Sequence, residues 1–136
     1  MGRITTTALQ AVPLFAKLSA KDLKSLAGRF REIRHPAGTV VVREGASGAA
    51  FFVIAEGSAV VRIDGEDRAT LGPGDHFGEM ALIDQGPRSA EVAAVTDVVL
   101  YGLSSWEFRP FVQEHPDVAW ALLQWLVARV RELNRR

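Results

Sequence analysis

The sequence predicts a mainly β domain with flanking α: an antiparallel β-roll, jelly-roll-like or double-stranded β-helix in type, with helices before and after it. Three observations predict it. Between His35 and Leu103 six short β-branched or aromatic runs follow period two. Glu44-Gly45, Glu56-Gly57 and Asp64-Gly65 separate some of them with turn chemistry. Apolar residues at helical spacing lie on both sides of this block. Short antiparallel strands in such number close or stack face to face, which removes exposed edges.

The chain of 136 residues fits a single domain, 1–136. Its expected parts are a helical segment over about 1–34, the roll over 35–103 and C-terminal helices over 104–136. A hydrophobic fraction of 48% with 24% charged residues describes a soluble globular chain. Sixteen acidic residues cancel sixteen basic ones, so no overall cationic field favours a nucleic-acid backbone, and direct nucleic-acid binding is not expected. The absence of cysteine removes disulfides, thiolate metal sites and a cysteine nucleophile, and fits a cytoplasmic setting. No run of about eighteen apolar residues occurs, so no membrane insertion by this chain is expected.

Taken in order, Leu9, Val12, Leu14, Phe15, Leu18, Leu23, Leu26 and Phe30 give the N-terminal segment an apolar face. Ser19 with Asp22 resembles a capping box and predicts a helix from about Ala20 to between Gly28 and Phe30. Strands are expected at Thr39–Arg43, Ala50–Ala55, Ser58–Ile63, Arg68–Leu71, Ser89–Val95 and Val98–Leu103. Ser104 or Ser105 can cap a helix bearing Trp106, Phe108 and Phe111, and Pro116 suits the first turn of a last helix through Leu133. On that helix Val118, Leu122, Trp125 and Leu133 form one stripe, with Arg129 in its middle.

The chemistry concentrates in LGPGDHFGEMALIDQGPRSAEV, residues 71–92. A short helix-capable piece over 79–83 would present free N-terminal amides to an anion, and Gly78 would let a ligand approach them. Arg88 follows a proline, so a stiff corner delivers its guanidinium, which can engage two phosphate oxygens in parallel. Ser89 adds a hydroxyl, and the Ser89 and Ala90 amides add donors. Glu79 would repel a phosphate and helps only if the ligand also carries a hydroxyl, as a ribose does. The plain alternative is a structural Glu79–Arg88 ion pair.

Phe77-Gly78-Glu79-Met80-Ala81-Leu82 followed by Pro87-Arg88-Ser89-Ala90 resembles the phosphate-binding cassette of the cyclic nucleotide-binding domain family, as found in bacterial cyclic-nucleotide-gated channels and catabolite-activator-type regulators. Upstream, PAGTVVVREGASGAAFFVIAEGSAVV resembles that family's first strands, with Gly38, Gly45 and Gly57 at its turns. The resemblance runs from about Val12 to Arg131. It implies a ligand site made by Phe77, Gly78, Glu79, Met80, Ala81, Arg88, Ser89 and Ala90. In it Glu79 accepts the ribose 2′-hydroxyl, Arg88 pairs with the cyclic phosphate, and the Gly78 and Ala90 amides assist. It further implies Val61 as an apolar wall for the base and Arg129 as a lid over it. The ligand expected is cAMP or, through a Ser89 contact to the guanine amino group, cGMP; no other cofactor is implied.

The expected function is that of a sensor whose last helix moves when nucleotide binds, with a homodimer along that helix or an effector, fused or separate, as the output. Two other readings stand beside it. One is an interaction module that keeps the fold without the ligand. The other is a cupin-type metal site at His76 and Glu79, where only one histidine stands in place of two. No nucleophile elbow, H-E-x-x-H or phosphate loop of the G-x-x-x-x-G-K type occurs, so no enzyme activity is expected.

Overall fold

A computed structural model describes residues 4–45, 50–78, 82–84 and 88–135. Helix α1 spans Thr6–Gln10, a 3-10 turn spans Pro13–Phe15, and helix α2 spans Ala20–Ala27. The strands are β1 Arg31–His35, β2 Val40–Val42, β3 Ala50–Glu56, β4 Ala59–Ile63, β5 Glu66–Leu71, β6 His76–Phe77, β7 Glu91–Ala94 and β8 Val98–Ser104. Helices α3, Ser105–Glu114, and α4, Pro116–Asn134, complete the chain. Two four-stranded antiparallel sheets result, in the orders β1-β8-β3-β6 and β2-β7-β4-β5. The expected roll with flanking helices is the observed architecture.

Strand alternation divides the interior in two. On β3, Phe52 and Ile54, with Val98 and Leu100 of the adjacent β8, face the other sheet, where Ala59, Val92 and Ala94 complete one core. Their neighbours Phe51 and Val53 face the opposite way, into a second core built with Leu9, Phe15, Leu26, Leu103, Phe108, Phe111 and Val118. Phe51 meets Phe15 edge-on at 5.7 Å and Phe30 at 6.1 Å between ring centroids. A strand covered on both faces loses the polar half of its pattern, which explains the unbroken apolar run Phe51–Ile54.

Strand β1 begins at Arg31, ahead of the residue 35 expected for the start of the roll. Its sequence, REIRH, offers one apolar side chain because it is an edge strand, paired only with β8. Ile33 lies opposite Leu100 and joins the inter-sheet core. Strand β6 was likewise not expected; two residues carry no readable period.

The caps follow the sequence in part. Thr5 and Ser19 accept hydrogen bonds from Ala8 N and Asp22 N, each at 3.1 Å. Ser104 is the N-cap of α3, but its hydroxyl donates to Glu107 Oε1 at 3.2 Å rather than capping a backbone amide. Pro116 opens α4 as expected. The stripe on α4 is buried only in its first half: Val118 and Leu122 are enclosed, while Leu133 is 53% exposed. Of the aromatic residues that α3 was expected to carry, Phe108 and Phe111 are buried and Trp106 is 69% exposed.

Candidate functional site

Arg88 emerges just ahead of β7, and its backbone carbonyl accepts from Gly45 N at 2.8 Å, which ties it to the turn after β2. Its side chain runs to the start of β3, where Nη2 donates to the Ala50 carbonyl at 2.6 Å. Gly78 ends the roll wall beside it with φ +86°. A Cβ on Gly78 would stand 2.5 Å from Arg88 Nη1 and 2.8 Å from Ala50 O. The missing side chain therefore makes room for the guanidinium itself, a use the sequence did not disclose, and not only for a ligand.

Among the described residues the charge on Arg88 is poorly compensated. Its buried Nε has no hydrogen-bond partner among the described residues, and no carboxylate there forms an ion pair with it. Burial pushes the guanidinium below its ordinary value. A carbonyl dipole alone leaves a desolvated cation in need of an anion. The neighbouring strand's acid is engaged elsewhere: Glu91 lies 3.5 Å from Arg62, which also holds Asp67 at 2.7 Å.

The remaining predicted residues distribute as follows. Ala90 is half-buried and Ser89 exposed, both adjoining Arg88. Phe77 pairs with Phe52 across β6 and β3 and stacks on its ring at 5.2 Å, so it is part of the roll wall. Val61 on β4 is half-buried, opposite Val92, and like Val42, Leu71, Ala50 and Phe77 it packs against the edge of the inter-sheet core. Glu79, Met80 and Ala81, the first three residues of the predicted helix over 79–83, lie outside the described residues, as does Pro87; of the rest Leu82 is buried and Ile83 exposed. Arg129 is exposed on α4, its guanidinium 5.9 Å from the Trp125 ring centroid; the buried setting expected for it is not present, because among the described residues α4 is exposed from Leu126 onward. Among the described residues no three His, Cys, Asp or Glu side chains are gathered to hold a metal, and no helix is long and apolar enough to cross a membrane.

Two participants escaped sequence reasoning. The Ala50 carbonyl holds the guanidinium, and the Gly45 amide holds the arginine backbone. Main-chain groups leave no mark in residue identity. Only the glycine of the Glu44-Gly45 turn, φ +80°, hinted at a special backbone there.

The sequence profile described as Cyclic nucleotide-binding domain matches residues 32–115. The chain is 42% identical over 109 residues to a cyclic nucleotide-gated potassium channel of Mesorhizobium japonicum, covering 80% of this chain and 30% of the channel. It spans less than two thirds of the length of the curated relatives it matches first. Its structure is similar to the N-terminal domain of a transcriptional regulator from Streptomyces coelicolor, with TM-score 0.85, 32% identity and coverage of 94% and 95% of the two chains. It is also similar to the regulatory domain of Toxoplasma gondii PKA crystallised with cAMP, with TM-score 0.70, 34% identity and coverage of 80% of this chain and 43% of the other.

Proposed function

This chain belongs to the cyclic nucleotide-binding domain family, and from that premise we propose that it is a regulatory sensor that binds a cyclic nucleotide at Arg88. The observation that carries the proposal is the state of Arg88: buried at Nε, bonded only to a carbonyl, and without an ion-pair partner among the described residues. A singly charged cyclic phosphate supplies the missing compensation through a charge-assisted fork. Glu79 takes the ribose 2′-hydroxyl, the Gly78 and Ala90 amides and the Ser89 hydroxyl complete the phosphate cradle, and Phe77, Met80 and Ala81 form its frame. Val61 lines the base. The ligand is cAMP, a reading supported by the structural neighbour crystallised with it; cGMP is the alternative that Ser89 admits.

The domain signals by shifting populations and carries no catalysis of its own. Nucleotide stabilises whichever arrangement of α4 it binds more tightly. In the present arrangement Arg129 lies against Trp125; closure of α4 would bring it over the base as a lid. Trp120, Leu123, Val127 and Val130 recur at three- and four-residue steps on α4 and are each more than half exposed. That face is the surface for a second copy, or for an effector fused to or separate from this chain, in a cytoplasmic setting.

Titration calorimetry with cAMP, cGMP and a divalent metal tests the reading. Micromolar or tighter binding of a cyclic nucleotide is expected, weakened in Arg88→Ala by about 1.5–3 kcal/mol, on the order of ten- to a hundredfold. Equal binding by parent and variant would remove Arg88 from the site. No binding of either nucleotide would favour the interaction module.

A further inference from the structure

A cleft of about 420 Å³ lies where Ile83 faces helices α3 and α4. Small-molecule sites typically measure roughly 300–1,000 Å³. On α4 its wall is a single stripe through Ala119, Leu123 and Leu126, and on α3 it is Phe108 with Arg109. Ile83, Leu123 and Leu126 are 54%, 52% and 37% exposed, so side chains from distant parts of the chain converge there and still meet water. A contiguous apolar patch of this kind marks a binding surface, where scattered apolar residues would not. Of the described side chains that line the cleft only Ser105 and Arg109 are polar, and only Phe108 carries a ring. Aliphatic walls suit a flexible hydrocarbon tail better than a stacked aromatic ring.

Arg109 fixes the polar end of the occupant. It is exposed, and among the described residues it forms no ion pair. Its neighbours at helical spacing are Ser105, Trp106, Val112 and Gln113, none of them acidic. The two acids of α3 are engaged by other arginines: Glu107 lies 3.6 Å from Arg31 and Glu114 lies 3.7 Å from Arg29. A lone cation beside an apolar cleft complements an amphiphile with one anionic head. We propose that the cleft binds a fatty carboxylate, its tail along the α4 stripe and its head forked on Arg109. The face of α4 assigned above to a partner passes through Trp120 and Val127, each one residue on from Ala119 and Leu126 and so about 100° round the helix. Leu123 borders both surfaces, and otherwise they are separate. Arg88 is not among the lining residues, so the test needs no nucleotide and stands apart from the sensor reading.

Calorimetry of the full chain with butyrate, hexanoate and octanoate, each monomeric in solution, provides that test. One octanoate should bind per chain, and each added methylene should tighten binding by about three- to fourfold. Arg109→Gln should weaken octanoate by about three- to tenfold and leave octanol unchanged, because only the carboxylate uses the charge. Ala119→Phe should fill the cleft and abolish binding, with its urea midpoint reporting that the fold persists. Octanoate bound no tighter than butyrate, an Arg109→Gln variant equal to the parent for octanoate, or a folded Ala119→Phe variant that still binds would each overturn the site. Octanoate affinity that falls as protein concentration rises would give the cleft to a second copy and overturn it as well.

Discussion

Arg88 occupies the space that a side chain on Gly78 would need: its Nη1 lies 2.5 Å from the position of a Cβ there. A glycine next to a phosphate site is easily assigned to the ligand. Here the protein's own cation claims the room first. Gly78→Ala is therefore expected to displace the guanidinium from the Ala50 carbonyl and to weaken cyclic-nucleotide binding by more than tenfold. A left-handed alanine adds a stability cost of about 1–2 kcal/mol. Calorimetry and urea unfolding of the same variant read the two effects separately.

Arg88 and stability should part company. Removing a desolvated cation with an unbonded donor costs the fold little, so Arg88→Ala should unfold at the same urea midpoint as the parent or above it while losing ligand. Arg88→Lys keeps the charge but not the fork and should recover only a minor part of the affinity. A midpoint lowered together with affinity in Arg88→Ala would identify the arginine as structural.

The glycines grade themselves by what surrounds them. Gly57, at φ +88°, would place a Cβ 2.2 Å from the Asp97 carbonyl and 2.8 Å from Thr96 Oγ1, so Gly57→Ala must move main chain. A loss of roughly 2 kcal/mol or more is expected, above the left-handed penalty alone. Gly102→Ala meets the tip of Ile33 at 2.7 Å and the Phe52 ring at 3.3 Å, side chains that can yield, and should cost less. Equal midpoints for the two variants would contradict this ranking.

The apolar face of α4 predicts association. If a second copy covers it, Leu123→Glu and Val127→Glu should each shift sedimentation equilibrium from dimer to monomer while leaving nucleotide binding within a few fold, because a charge in a helical seam is strongly disfavoured. A parent that is monomeric at every concentration tested would assign the face to a separate effector.

Much of this was legible in the residues. The short β-branched and aromatic runs with their Glu56-Gly57 and Asp64-Gly65 turns located the roll, and the run from Phe77 through Ala90 marked the candidate site, because strands and special backbone demand particular residue types. What stayed hidden depends on neighbours distant in sequence. REIRH looks like a charged loop until β8 pairs with it. Asp22 reads as half of a capping box, and Ser19 does take the Asp22 amide, yet the pattern says nothing of the burial of its carboxyl-bearing side chain. The α4 stripe through Arg129 has helical period throughout, but period says nothing of whether a partner element reaches its far end.

The adjacency of Phe51 and Phe52, one in each core, has a mechanical corollary. Sliding β3 by a single position would exchange the contents of both cores at once, so the helical cap and the barrel-like half proofread each other's alignment. Ala50, which grips the arginine, is bonded directly to Phe51, which is wedged under the helices. Any tug on the Arg88 guanidinium thus begins one peptide link from a ring packed in the core beneath the helices.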